Sequence, residues 1–254
     1  PSWIRYHDPL RTLIIGYANG NIDLMDTNGV TNVNDIVRNT SIQGDKRITN
    51  IYTDDGSNIY LSTPFGLLVL DLVSRQFQST VFTSSPVKAF TKYQGKFYLA
   101  VENGLYSYDP LSGNIIEDFS SWVKVVVPGL PAQYSSQSVA VYKDILYAGI
   151  DGDLYKFDQG EFIFWHEIPG YSLTFISPEG QNLMVGFWCD AGCIGKVAYF
   201  NNDIFWHENG IYCTYRPSYA IEDEKGRIWY ADEFPEFRVA QNHFTPCDRL
   251  TYNT

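Results

Sequence analysis

Residues 46–71 read KRITNIYTDDGSNIYLSTPFGLLVLD, and weaker copies of this stretch recur along the chain. Ile48-Thr49-Asn50-Ile51-Tyr52 alternates apolar and polar residues with the period of two that marks a half-buried strand. Asp54-Asp55-Gly56-Ser57-Asn58 supplies residues that tolerate the positive φ of tight turns. Ile59-Tyr60-Leu61-Ser62-Thr63 follows as a second strand, Pro64-Phe65-Gly66 turns the chain, and Leu67-Leu68-Val69-Leu70 is a third, closed by Asp71. The pattern predicts an antiparallel meander, with Gln76–Phe82 as its fourth strand.

Five more copies align on this plan. Their second strands start near residues 13, 97, 146, 183 and 228, and with Ile59 the starts lie about 37 to 49 residues apart. Phe164-Trp165-His166-Glu167 returns as Phe205-Trp206-His207-Glu208. Four short strands per repeat of this length predict an all-β chain built as a β-propeller with six blade-like repeats. A β-sandwich would not explain the recurring Gly-x-apolar-x-apolar-Asp ending. Residues 27–45 and 117–137 read as long surface loops, and the whole of residues 1–254 as a single propeller domain.

Composition agrees with a pleated fold. Aromatic residues make up 16% of the 254, with 19 Tyr and 16 Phe. The formal charge of −11 argues against a partner with a nucleic-acid backbone, which needs clustered Lys and Arg. No apolar run approaches the roughly 18–20 residues of a membrane-spanning helix. The chain starts with Pro1 rather than Met and reads as part of a longer protein.

The four cysteines, Cys189, Cys193, Cys213 and Cys247, allow three complete pairings. The preferred set is Cys189–Cys193, closing a short loop, with Cys213–Cys247 stapling the last repeat. Both bonds imply an oxidising compartment, whereas free thiols would fit a cytosolic protein. A zinc site is disfavoured, because no second close pair accompanies Cys189 and Cys193.

No catalytic motif and no cofactor motif is present. The matches Ser85 to Lys88 and Ser121 to Lys124 lack the helical context of a Ser-x-x-Lys site. Asp54-Asp55, Asp151-Gly152-Asp153 and Glu222-Asp223-Glu224 read as hairpin turns rather than calcium loops, and no metal is expected. Strand alternation would send Trp165 and Glu167 to one face and His166 to the other. Trp165 and Trp206 are candidates for stacking on a sugar, although the preferred reading has both rings filling the space between neighbouring sheets. Phe234, in the aberrant run Asp232-Glu233-Phe234-Pro235-Glu236-Phe237-Arg238, is a third contact candidate.

Residues 48–71 and Tyr219-Ala220-Ile221-Glu222-Asp223-Glu224-Lys225-Gly226-Arg227-Ile228-Trp229 resemble the two-component-regulator propeller repeat, in which an Asp, a Gly and an Ile-Trp pair recur at this spacing. Tyr60 stands where that repeat often has Trp, and Pro64-Phe65-Gly66 replaces its glycine pair. Tyr6-His7-Asp8-Pro9, residues 13–24 (LIIGYANGNIDL) and Gly44-Asp45-Lys46-Arg47-Ile48 resemble the amino-terminal propeller of PorZ-type proteins. The resemblance implies an exported protein of the periplasm or cell surface, with six repeats as most of a seven-bladed ring. It implies a non-catalytic accessory of type IX secretion that engages envelope proteins or glycan and lipopolysaccharide. Alternatives are a periplasmic oligosaccharide-sensing propeller of a hybrid two-component regulator, and a propeller glycoside hydrolase or polysaccharide lyase. No functional residue carries over from the family.

Overall fold

The computed structural model describes residues 1–178, 182–201, 204–209, 215–232, 237–240 and 248–249. It divides into two compact units, residues 1–125 and 126–254. Each unit holds three four-stranded antiparallel sheets whose strands follow in chain order, so the fold is a β-propeller of six blades.

In the first unit, blade 1 is β1 (Trp3–His7), β2 (Thr12–Gly16), β3 (Ile22–Asp26) and β4 (Gly29–Val33), followed by the short helix α1 (Asp35–Arg38). Blade 2 is β5 (Asn50–Tyr52), β6 (Asn58–Thr63), β7 (Gly66–Asp71) and β8 (Gln76–Phe82). Blade 3 is β9 (Val87–Tyr93), β10 (Lys96–Val101), β11 (Gly104–Tyr108) and β12 (Val123–Lys124). In the second unit, blade 4 is β13 (Ser136–Tyr142), β14 (Ile145–Ile150), β15 (Asp153–Asp158) and β16 (Glu161–His166). Blade 5 is β17 (Tyr171–Ser177), β18 (Leu183–Cys189), β19 (Lys196–Asn201) and β20 (Ile204–Asn209). Blade 6 is β21 (Pro217–Glu222), β22 (Ile228–Asp232), β23 (Phe237–Ala240) and β24 (Asp248–Arg249).

Residues 27–45 and 117–137 are not plain loops, because they contain β4 and β12, the fourth strands of blades 1 and 3. Their sequences give little warning: β4 buries only Val33, and β12 is two residues long. Strand β1 also escapes the repeat plan. It turns Ile4 and Tyr6 outward and buries His7, against the usual sorting of apolar residues inward. The His7 ring is satisfied by hydrogen bonds, donating from Nε2 to the Gly56 carbonyl (2.8 Å) and accepting the Leu10 N–H at Nδ1 (3.2 Å).

Neighbouring blades are joined in a repeated way. The first strands of blades 3 to 6 bulge at Lys88, Gln137, Thr174 and Ser218. Ser2 and Thr49 hold the same place in blades 1 and 2. Three of these hydroxyls donate to a carbonyl on the next blade: Ser2 to Ile48 (2.7 Å), Thr49 to Val87 (3.0 Å) and Thr174 to Pro217 (2.9 Å). The facing position on each second strand is small: Gly16, Ser62, Ala100, Gly149, Gly186 and Ala231. A Cβ on Gly16 would lie 2.8 Å from Ile48 Cβ, which is why no side chain fits there. The Gly149 and Gly186 gaps are filled by Leu173 and Phe175.

The core lies between the sheets. In the first unit Ile14, Ile22 and Leu24 of blade 1 interlock with Ile51, Ile59, Leu61 and Leu70 of blade 2. In the second, Leu183, Val185, Phe187 and Phe200 of blade 5 meet Ala140, Tyr147 and Leu154 of blade 4. Buried aliphatic side chains of this size contribute about 1.5–3 kcal/mol each.

Candidate binding site

The hairpins joining second to third strands are two residues long in blades 2, 3 and 4, as Thr63↔Gly66, Val101↔Gly104 and Ile150↔Asp153 show. In blade 5 the last pair is Phe187↔Lys196, and a long loop intervenes. A disulfide between Cys189 and Cys193 ties this loop, with a Cα–Cα distance of 5.2 Å. Cys213 and Cys247 lie outside the described residues.

Backbone bonds complete the loop. Asp190 N–H donates to the Gly170 carbonyl (3.0 Å), Gly192 N–H to Cys189 (3.0 Å) and Gly195 N–H to Tyr215 (2.9 Å). The Tyr215 hydroxyl donates back to the Gly192 carbonyl (2.9 Å). Asp232, at the end of β22, accepts the N–H groups of Tyr215 (2.6 Å) and Arg216 (3.0 Å) and so fixes the approach to blade 6.

Between the loop and β21 lies a cleft of about 250 Å³ lined by Thr174, Trp188, Arg216, Pro217 and Ser218. The Arg216 guanidinium sits 3.6 Å from the centre of the Trp188 ring, a cation–π stack that holds both side chains flat. Trp188 and Ile194 on the loop and Tyr215 just before β21 are exposed. Ser218, at the bulge of blade 6, presents to solvent the hydroxyl position that in blade 5 binds the next blade. Trp, Tyr and Arg are the residue types that most often anchor interfaces.

The disulfide closes only a five-residue loop, and chain entropy assigns such a closure about 2 kcal/mol. Replacing both Cys189 and Cys193 by Ala is expected to lower unfolding stability by about that amount and to raise acrylamide quenching of Trp188. Urea titration and fluorescence check this. Identical curves for the variant and the parent would mean that the bond does not hold the loop.

The sequence candidates lie elsewhere. Trp165 is half-buried between Tyr147 (ring centres 5.1 Å) and Phe200 of blade 5 (4.6 Å). His166 also meets Phe200, at 5.4 Å, so the alternation expected for this strand fails. The cause is a bulge: Leu154 pairs with His166 and Tyr155 with Phe164, which leaves Trp165 unpaired. The echo is genuine, since β20 skips Trp206 in the same way, with Tyr199 opposite His207 and Phe200 opposite Phe205. The Trp206 side chain and Phe234 lie outside the described residues. Trp188 and Arg216 escaped the sequence reading, although the interruption of the repeat beside two close cysteines marked their neighbourhood.

The acidic turns have protein partners. Asp54 takes the Lys92 ammonium at 2.6 Å, and Asp151 accepts the N–H (2.7 Å) and hydroxyl (3.0 Å) of Ser135. Asp223 accepts the Trp229 indole N–H (3.0 Å) and the Arg227 guanidinium (2.7 Å), which together hold its carboxyl far below the usual range. That network explains the spacing of Asp223, Gly226 and Ile228-Trp229 in the repeat. Among the described residues no group of three His, Cys, Asp or Glu side chains could hold a metal, and no helix is long and apolar enough to cross a membrane.

Comparison with solved structures places the chain among propellers. It superposes on PorZ, an essential surface component of the type IX secretion system of Porphyromonas gingivalis, with a TM-score of 0.61 and 17% identity, covering 98% of this chain and 39% of that one. The extracellular domain of a putative hybrid two-component system from B. thetaiotaomicron gives 0.70 and 16%, covering 100% and 33%. The Cps50 (Swd1) β-propeller domain of Myceliophteria thermophila gives 0.69 and 15%, covering 99% and 86%. The chain thus spans well under half the length of the first two. No curated protein matches it by sequence. Residues 2–123, which hold blades 1 to 3, match the family of the PorZ N-terminal β-propeller domain of type IX secretion.

Proposed function

We propose that the chain is a non-catalytic propeller module of an exported, PorZ-like envelope protein, and that it engages a protein or glycan partner of the cell envelope. The family match over residues 2–123 carries this reading. The disulfide in blade 5 supports export, because such bonds persist in oxidising compartments. The contact surface is the cleft between the blade 5 loop and β21, lined by Thr174, Trp188, Arg216, Pro217 and Ser218. A sensor propeller of a two-component regulator is the second reading, favoured by the fold match to such an extracellular domain.

The test is retention of envelope components from the native host on the immobilised chain, with bound protein and polysaccharide identified by mass spectrometry. Trp188→Ala is expected to weaken the retained interaction by roughly 10- to 100-fold, the range of an interface anchor. Leu111→Ala, at an exposed site of the first unit, is the control and should change nothing. Equal retention by the Trp188 variant would remove the cleft from the reading. No retained envelope component would remove the binding role.

A further inference from the structure

Three Asn-Gly pairs lie within the described residues: Asn19-Gly20, Asn28-Gly29 and Asn103-Gly104. In each, the glycine nitrogen follows an asparagine carboxamide with no Cβ to hinder an approach between them. All three belong to the first unit, so the surroundings of each can be compared directly.

Two of the pairs are clamped. Gly20 is buried and its N–H donates to the Tyr17 carbonyl (3.1 Å), while Asn19 Oδ1 accepts the Asn21 N–H (3.0 Å). A Cβ at Gly20 would stand 2.7 Å from Ile36 and 3.0 Å from the Lys46 carbonyl, so the backbone there has no room to turn. Gly104 is buried too, with Lys124 Cε 2.5 Å from where its Cβ would be, and Lys124 Nζ donates to the Asn103 carbonyl (2.7 Å). Asn103 Oδ1 is shut off from solvent, and negative charge forming on it would have no water around it.

Asn28-Gly29 sits in a hairpin of the same kind as Asn103-Gly104. The pairs Asp26↔Gly29 and Val101↔Gly104 each bound a two-residue turn, and both glycines have positive φ. The surroundings are opposite. Asn28 and Gly29 are both exposed, and nothing lies within 4 Å of a Cβ built on Gly29. The Asn28 main-chain N–H donates to Asp26 Oδ1 (2.7 Å), but among the described residues no hydrogen bond holds its carboxamide.

We propose that Asn28 is a site of spontaneous deamidation, the position of the three that the fold leaves free to react. The Gly29 nitrogen gives its proton to solvent base and bonds to Asn28 Cγ. The Cγ–Nδ2 bond breaks, ammonia departs with a proton from solvent, and a succinimide remains. Water then reopens the ring at either carbonyl, giving aspartate or isoaspartate. Each product places a second carboxylate close to Asp26, which holds Arg75 of blade 2 at 3.3 Å. Isoaspartate also lengthens the main chain inside the turn, against the Asp26↔Gly29 pairing.

The test ages the chain at mildly alkaline pH in isotopically labelled water and counts new carboxylates at residues 19, 28 and 103 by peptide mass spectrometry. The same chain aged in urea gives the rate of each site without the fold. Folded Asn28 should convert at close to its unfolded rate. Folded Asn19 and Asn103 should convert at least about tenfold more slowly than in urea, because they react only after local opening. Asn28 slowed by the fold as much as the other two would overturn the proposal. So would Asn19 or Asn103 converting as fast as Asn28 in the folded chain.

Discussion

Phe90→Ala is expected to cost about 3–5 kcal/mol, the largest single-residue effect in the first unit, by cavity formation at a site that cannot collapse. Phe90 lies on β9, is almost fully buried, and stacks on Tyr60 of blade 2 with ring centres 4.3 Å apart and planes at 12°. Tyr52 and Phe97 meet it edge-on at 5.2 and 5.5 Å. Aromatic pairs of these geometries add about 0.5–1.5 kcal/mol each to simple burial. The neighbours are themselves pinned, since Lys92 Nζ lies 4.5 Å from the centre of the Tyr60 ring while bound to Asp54. Phe90→Leu keeps most of the volume and should lose roughly half as much. Urea unfolding of both variants, read against the parent, measures the difference. A loss under about 1 kcal/mol for Phe90→Ala would show that blades 2 and 3 close without this ring.

The second large effect is alkaline. Tyr199 of β19 and Tyr230 of β22 hydrogen-bond hydroxyl to hydroxyl across the join of blades 5 and 6. Burial pushes Tyr230 up to about 12, and burial with the Tyr230 neighbour pushes Tyr199 well above the ordinary tyrosine value. A pKa raised by folding stabilises the native state fully below the unfolded value and is lost as pH climbs through the folded one. Stability should therefore fall between about pH 10 and 12, by about 3 kcal/mol for Tyr230 alone. Tyr230→Phe cannot ionise and should flatten that loss, while giving up about 1 kcal/mol near neutrality with the hydrogen bond. Because other tyrosines titrate too, the difference between variant and parent unfolding curves at pH about 8 and about 11.5 is the relevant quantity. Parallel losses in both proteins would place the alkaline sensitivity elsewhere.

Much of this architecture is legible in the amino acids because local signals and packing agree. Asp54-Asp55-Gly56-Ser57-Asn58 turns the chain as expected, and the second and third strands read from the sequence are present as β6 and β7, buried along nearly their whole length. Gln76–Phe82 is a strand with the bounds read from sequence. Legibility fails where the period of two is broken. Trp165 sits on a bulge, so counting faces from it gives the wrong neighbour for His166. Strand β1 hides because its apolar residues point away from the unit it belongs to. The cleft is harder still, since Thr174, Trp188 and Arg216 come from three segments and only the fold brings them together. Their meeting depends on hydrogen bonds to the Gly170 and Gly192 carbonyls and the Asp232 carboxylate, which leave no periodic trace.

The join shared by three pairs of blades has a consequence for how such a chain arises. Ser2, Thr49 and Thr174 tie blade 1 to blade 2, blade 2 to blade 3 and blade 5 to blade 6 at one repeat position. The stretch from Ser2 to Thr49 is one such unit: duplicated in frame, its copies would meet a backbone carbonyl acceptor, which every residue supplies. Copy number can then change by unequal recombination without a new interface having to evolve, and individual copies remain free to lengthen a hairpin, as blade 5 has done around Cys189 and Cys193.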